Sequence, residues 1–206
     1  MPTFTPSPLA IGRPIVNIVG ISGSLRAASV NTALLKAIAA LAPAHVNISL
    51  FIDMASMPLF NPDLEGREAA PVHRLRAALR DADAVLIASP EYAHGVTGVI
   101  KNALDWVVGS GELVGKPVAF LSASTRAIHA PEALRKTLRA MDAHIVDGAC
   151  LAVPVNNSRA SEAELLAMPD VTAVLLHVLA TLARTAQSVA PAAAMVDDEP
   201  VTRTPA

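Results

Sequence analysis

Within SGSLRAASVN, the chain places Ser22, Gly23, Ser24, Arg26 and Ser29 between a short apolar run and an Ala/Leu-rich segment that begins after Asn31. A strand that feeds such a loop into a helix directs hydroxyls, one guanidinium and the unpaired N–H groups of the helix N-terminus at a common point. That set of donors suits a phosphate monoester. The spacing therefore predicts a nucleotide or flavin binder. It is not the GxGxxG dinucleotide fingerprint, because Ser24 follows Gly23, and Asp53 after the second apolar run gains no ribose role without that fingerprint. GxxxxGK[ST] is absent, and the closing glycine falls one place early for a GxSxG nucleophile elbow.

Two further segments carry chemistry. In Ser89–Gly98, SPEYAHGVTG, Pro90 stops a strand, and Glu91, Tyr92 and His94 stand ahead of Gly95 and Gly98, where a plain turn needs only small residues. The two glycines let backbone approach a flat ligand closely, and Tyr92 is the only tyrosine. The third segment is Ser122–Pro131, SASTRAIHAP.

All three segments follow short, mostly apolar runs. Ile15–Gly20, His45–Ile52, Ala84–Ser89, Val118–Ser122 and Ala149–Val153 read as strands buried on both faces. Between them lie helical patterns at Asn31–Leu41, Glu68–Asp81, Gly98–Val108 and Pro131–Met141, with a last one at Asp170–Ser188. In that last segment Val171, Val174, Leu175, Val178, Leu179 and Leu182 form one apolar stripe. Asn31 and Asp170 are the expected N-caps, and Pro131 and Glu132 suit a first turn. The alternation predicts an α/β doubly wound domain over 14–189, with a five-stranded parallel sheet in the order 2-1-3-4-5. Ligands in such sheets sit beyond the carboxyl ends of the strands where the order reverses, so the first two loops flank one crevice and the third lies beside it. The Pro/Ala/Thr/Ser-rich stretches 1–13 and 190–206 read as mobile extensions.

Composition narrows the function classes. At 206 residues one well-buried domain is expected, and a formal net charge of −2 without a Lys/Arg run argues against nucleic acid or an anionic membrane as partner. The most apolar candidate span, Val171–Ala183, is broken by His177 and Thr181 and falls short of the roughly 20 residues that cross a bilayer. The N-terminal stretch lacks the basic start and apolar run of a secretory signal, so a cytoplasmic location is expected. Cys150, the single cysteine, is expected buried on a late strand. His45, His73, His129, His144 and His177 show no ligand spacing with carboxylates or with one another, so no metal is expected.

SGSLRAASVN, SPEYAHGVTGVIKNALDW and GKPVAFLSAS, in this order, resemble the NADPH-dependent FMN reductase family of flavodoxin-like proteins, which includes quinone, azo-dye and chromate reductases. The likeness covers about residues 15–153, and its PEY…KNALDW block is highly specific. The resemblance implies FMN as cofactor and NADPH or NADH as donor. It assigns Ser22, Ser24, Leu25, Arg26, Ser29, Asn31 and Thr32 to the phosphate end, and Pro90, Glu91, Tyr92, Ala93, His94 and Gly95 to the ring. Ser122, Ala123, Ser124 and Thr125 complete the ring site. It also implies a homodimer or homotetramer formed through the Gly98–Val108 helix. Two departures stand out: Ala93 and His94 replace the Asn that follows PEY in many relatives, and SASTR lacks their Gly-Gly pair. With FMN bound, hydride from a nicotinamide and two electrons to a small-molecule acceptor need no essential side-chain acid or base. His94 is the residue that could donate a proton to a reduced quinone or meet the phosphate of NADPH. A flavodoxin-type carrier and a non-catalytic flavin-binding module are the alternatives.

Overall fold

A computed structural model describes residues 15–194 of the chain. The strands are β1 (Val16–Ser22), β2 (Val46–Phe51), β3 (Ala84–Ala88), β4 (Pro117–Ser122), β5 (His144–Ile145) and β6 (Leu151–Ala152). All pair in parallel in the order β2-β1-β3-β4-β5, with β6 also on β4. The predicted doubly wound, flavodoxin-like order holds.

The fifth position differs from the expected single strand at Ala149–Val153. The chain meets β4 twice, at Val118↔Ile145 and again at Leu121↔Leu151, because a tight turn at Asp147–Ala149 lifts it off the ladder in between. Cys150 therefore lies in the turn rather than on a strand and is only half-buried, and burial pushes its thiol pKa up.

Strand alternation divides the apolar residues between two cores. Val16, Ile18, Leu86 and Leu121 face one side, under α1 (Val30–Ala40), α5 (Glu162–Leu166) and α6 (Pro169–Ala194). Val19, Ile21, Val85, Ile87, Val118 and Phe120 face the other, under α2 (Ala70–Asp81), α3 (Gly98–Val108) and α4 (His129–Ala140). The α6 stripe packs as read, with Val171, Leu175, Val178, Leu179 and Leu182 all buried.

Helix boundaries shift for local reasons. Ser29, not Asn31, caps α1, its Oγ accepting from the Thr32 N–H at 3.4 Å, and Asn31 is drawn into the wall of a cavity. α6 starts at Pro169, so Asp170 sits in the first turn, and the helix runs past Ser188 to Ala194. α4 starts at His129, two residues before Pro131, for a reason that belongs to the site. The segment 1–13 and residues 195–206 of the expected extensions lie outside the described residues. Among the described residues no helix is long and apolar enough to cross a membrane.

Candidate functional site

The strand order reverses between β1 and β3, and the loops leaving β1, β3 and β4 converge beyond their carboxyl ends. They enclose a cavity of about 430 Å³ lined by Ser24, Arg26, Ser29 and Asn31 from the first, Pro90, Glu91 and Tyr92 from the second, and Ser122, Ala123 and Ser124 from the third. A second cavity, of about 540 Å³, shares Ser24, Arg26 and Tyr92, so the tyrosine stands between the two. Both volumes fall in the range of small-molecule clefts, about 300–1,000 Å³.

The remaining sequence-predicted residues lie off the main cavity wall. Ser22 and Thr32 bond to each other, Oγ to Oγ1 at 2.8 Å, and line a smaller cavity of about 320 Å³ with Ser24, Leu25 and Arg26. Leu25 is exposed and faces the second cavity. Ala93, His94 and Gly95 form a turn at the rim, and Thr125 does not line the cavity. Arg126, whose backbone the third segment offered to the ring, lines the cavity, and Val30, Ala127 and the segment with Val155, Asn156 and Ser158 line it without having been singled out. The last of these comes after β6, the strand in the fifth position. The rule that drew attention to the other strand-end loops applies to it equally.

Two of the loops are built alike. In SGSLR the Ser22 Oγ donates to the Ser24 carbonyl (3.3 Å), accepts from the Ser24 N–H (3.3 Å), and the Ser24 Oγ accepts from the Arg26 N–H (3.4 Å). In SASTR the same three bonds recur through Ser122, Ser124 and Arg126, at 3.1, 3.3 and 3.3 Å. Each loop thus ends in an exposed arginine on the cavity wall, and neither Arg26 nor Arg126 has an acidic partner among the described residues.

The helix N-termini beyond the two loops tell them apart. After SGSLR, the first-turn N–H groups of Val30 and Asn31 have no intrahelical acceptor, and Asn31, 4% exposed, holds an amide oxygen without a partner. After SASTR, the N-terminus of α4 is already taken: Glu91 Oε2 accepts from both the His129 and Ala130 N–H groups at 2.8 Å. This carboxylate cap is why α4 begins two residues early. The Ala130 N–H bond, more than any other influence, holds the Glu91 carboxyl below its ordinary pKa. A helix end capped by a carboxylate repels a phosphate, whereas the α1 end, with one free cation and unpaired donors, attracts it. The fit to a phosphate-bearing mononucleotide is therefore at Ser24, Arg26, Ser29 and Asn31. The orphaned Asn31 amide can meet a ribityl hydroxyl or, turned over, a phosphate oxygen.

The rim turn is strained. Tyr92 and Gly95 exchange backbone bonds at 3.2 and 3.0 Å around Ala93 (φ 48°) and His94 (φ 59°), the geometry of a two-residue hairpin with both central residues left-handed. Histidine tolerates that region better than alanine does. Ala93→Gly should raise unfolding free energy by about 0.5–1 kcal/mol, once the glycine's own entropy cost is set against relief of the Cβ clash. Urea denaturation measures this, and a lower midpoint for the variant would contradict the strained turn.

The KNALDW segment serves the scaffold. Asn102 donates to the Pro58 carbonyl (2.9 Å) and accepts from the Phe60 N–H (2.8 Å). Trp106, 1% exposed, donates to the same carbonyl at 2.8 Å and meets Phe60 edge-on at 5.1 Å between ring centroids. Both fasten the loop that floors the second cavity.

A parallel sheet in this order, with a cleft at its switch point, defines a flavodoxin-like protein. Residues 16–157 match the NADPH-dependent FMN reductase family, and the chain belongs to it. It is similar to an NAD(P)H-dependent FMN reductase of Pseudomonas aeruginosa, 41% identical over 135 residues, covering 63% of this chain and 72% of that one. A quinone reductase of Escherichia coli is 32% identical over 139 residues, covering 64% and 74%. Among solved structures, the flavoenzyme NAD(P)H:(acceptor) oxidoreductase FerB of Paracoccus denitrificans superposes with a TM-score of 0.64 at 25% identity, covering 82% of this chain and 96% of that one. The chain is thus an oxidoreductase whose cofactor is FMN and whose donor is NAD(P)H.

Proposed function

We propose that this protein carries two electrons from NAD(P)H to a quinone. The observation that carries the reading is the asymmetry of the two matched loops, one leading to a helix capped only by its own Ser29 hydroxyl and the other to a helix capped by the Glu91 carboxylate. That asymmetry gives the cleft a single phosphate end and so a single orientation for FMN. Bound there, FMN supplies the hydride-accepting and electron-donating chemistry.

The chain's residues bind and orient. Arg26, Ser24, the Ser29 hydroxyl and the N–H groups of Val30 and Asn31 would hold the phosphate. Tyr92 and the Ser122–Ser124 segment, on the wall of the same cavity, would hold the ring. Arg126 offers a second cation on the cavity wall, which would favour negative charge on a reduced ring or on an anionic substrate. No side chain is assigned an essential proton transfer, and His94 at the rim is the residue placed to assist one. Azo compounds, metal oxyanions and free flavin are further acceptors of the proposed type. The assembly is a homodimer or homotetramer through α3, using its exposed Val108 together with Leu59, since Trp106 is spent inside the chain. We place the enzyme in the cytoplasm, with neither nucleic acid nor membrane as partner.

Steady-state oxidation of NADPH by the FMN-loaded protein tests this. Fast, saturable turnover with a benzoquinone is expected. Tight FMN binding with no turnover on any quinone would instead mark an electron carrier.

A further inference from the structure

Glu91, His94 and His129 come together at the rim of the main cavity, although their spacing along the chain shows no ligand pattern. Their donor atoms all lie within 4.8 Å of one another. Glu91 Oε1 stands 3.4 Å from His94 Nδ1, and the two imidazoles meet edge-on with centroids 4.5 Å apart. We propose that these three side chains form a binding site for a divalent late first-row transition-metal ion, of which zinc is the representative, bridging the loops after β3 and β4.

One donor pair has the spacing such an ion requires, and the third donor lies within 4.8 Å of both. With zinc–nitrogen and zinc–oxygen bonds of about 2.0–2.2 Å, two ligands of a tetrahedral ion lie roughly 3.4 Å apart. The Glu91–His94 pair already has that separation. Two imidazoles and one carboxylate suit zinc, nickel or copper rather than calcium or magnesium, and three protein ligands leave one coordination position open.

The supports of the three ligands are tied to one another. Glu91 Oε2 is held by the His129 and Ala130 N–H groups, which leaves Oε1 free toward His94 and fixes the start of α4 against the carboxylate. This is the outer hydrogen bonding that orients a ligating carboxylate. His94 sits on the closed Tyr92–Gly95 turn, which fixes its backbone, and its exposed ring lies between Glu91 and His129. His129 is the first residue of α4 and is likewise exposed. Only side-chain rotations are needed to bring the third donor in. The site depends on protein atoms alone and does not rest on the assignment of the phosphate loop.

The test is a titration of zinc into the full chain, tag-free, FMN-loaded and cleared of metal by a chelator, followed by calorimetry. One equivalent is expected to bind at low-micromolar concentration or tighter. His94→Ala and His129→Gln should each weaken it at least a hundredfold, and His144→Ala, an exposed histidine elsewhere, should leave it unchanged. His129→Gln keeps the backbone that Glu91 caps, so loss of zinc there is not loss of fold, and unchanged circular dichroism verifies this. Cobalt in place of zinc should show the intense visible bands of a tetrahedral ion in the wild type and lose them in both variants. Absence of a one-equivalent site, equal affinity in His94→Ala or His129→Gln, or weak octahedral cobalt bands in the wild type would each overturn the proposal.

Discussion

Gly23→Ala should lower unfolding free energy by about 1–3 kcal/mol and weaken FMN binding more than tenfold. A Cβ at this position would lie 2.2 Å from Ser89 Oγ, 2.7 Å from Ser89 Cβ and 2.8 Å from Ile100 Cγ1. Ser89 Oγ could rotate away, but Ser89 Cβ is fixed to its backbone and the Ile100 side chain is packed in the core. Ser89 sits at the end of β3 and Ile100 is 1% exposed within α3, while the Gly23 N–H itself extends the ladder to the Ala88 carbonyl at 2.8 Å. The loop must therefore lift from the sheet, carrying Ser24 and Arg26 away from the α1 end. Gly98→Ala is the matched control, because nothing lies within 4 Å of its Cβ position. That variant should be as stable as the wild type or slightly more so. Urea denaturation and flavin fluorescence measure both. A Gly23→Ala protein with normal stability and affinity would mean that the β1 loop does not pack against β3 as described.

Arg26→Ala should weaken FMN about tenfold or more while leaving the fold intact. The guanidinium is exposed and bonded to no acid among the described residues, so its removal costs the folded chain little. Its contact with a phosphate is charge-assisted and contributes roughly 1.5–3 kcal/mol, with 1.4 kcal/mol to each decade of affinity. Riboflavin, which lacks the phosphate, should bind the wild type and the variant alike. Arg126→Ala, on the matched loop, should leave the gap between FMN and riboflavin nearly unchanged. If Arg126→Ala closed that gap and Arg26→Ala did not, the phosphate would belong on the β4 loop.

The strands, their order and the α3 and α6 helices were legible in the sequence because apolar runs and periodic stripes report burial directly. The fifth sheet position was not. Its ladder is made of two dipeptides, His144–Ile145 and Leu151–Ala152, each too short to show a period, joined by a turn whose role is tertiary. Helix starts failed where the cap came from afar. The Glu91 carboxylate that opens α4 belongs to a different loop, and no local pattern around His129 announces it.

The same limit applies to the site. Ser24, Arg26, Ser29 and Asn31 were readable as one group because they are neighbours in sequence, and they line one cavity. Ser22 and Thr32 belong to the same stretch of sequence, yet they bond to each other and line a different cavity. The meeting of His94 with His129 depends on β3 and β4 being neighbours, so chain spacing carries no trace of it.

The most direct test of the account is a crystal structure of the FMN complex. The phosphate is expected against Arg26, the Ser29 hydroxyl and the N-terminus of α1, with the ring between Tyr92 and the Ser122–Ser124 backbone. A phosphate bound instead at Arg126 and the β4 loop, or a cleft that stays empty in excess FMN, would contradict it.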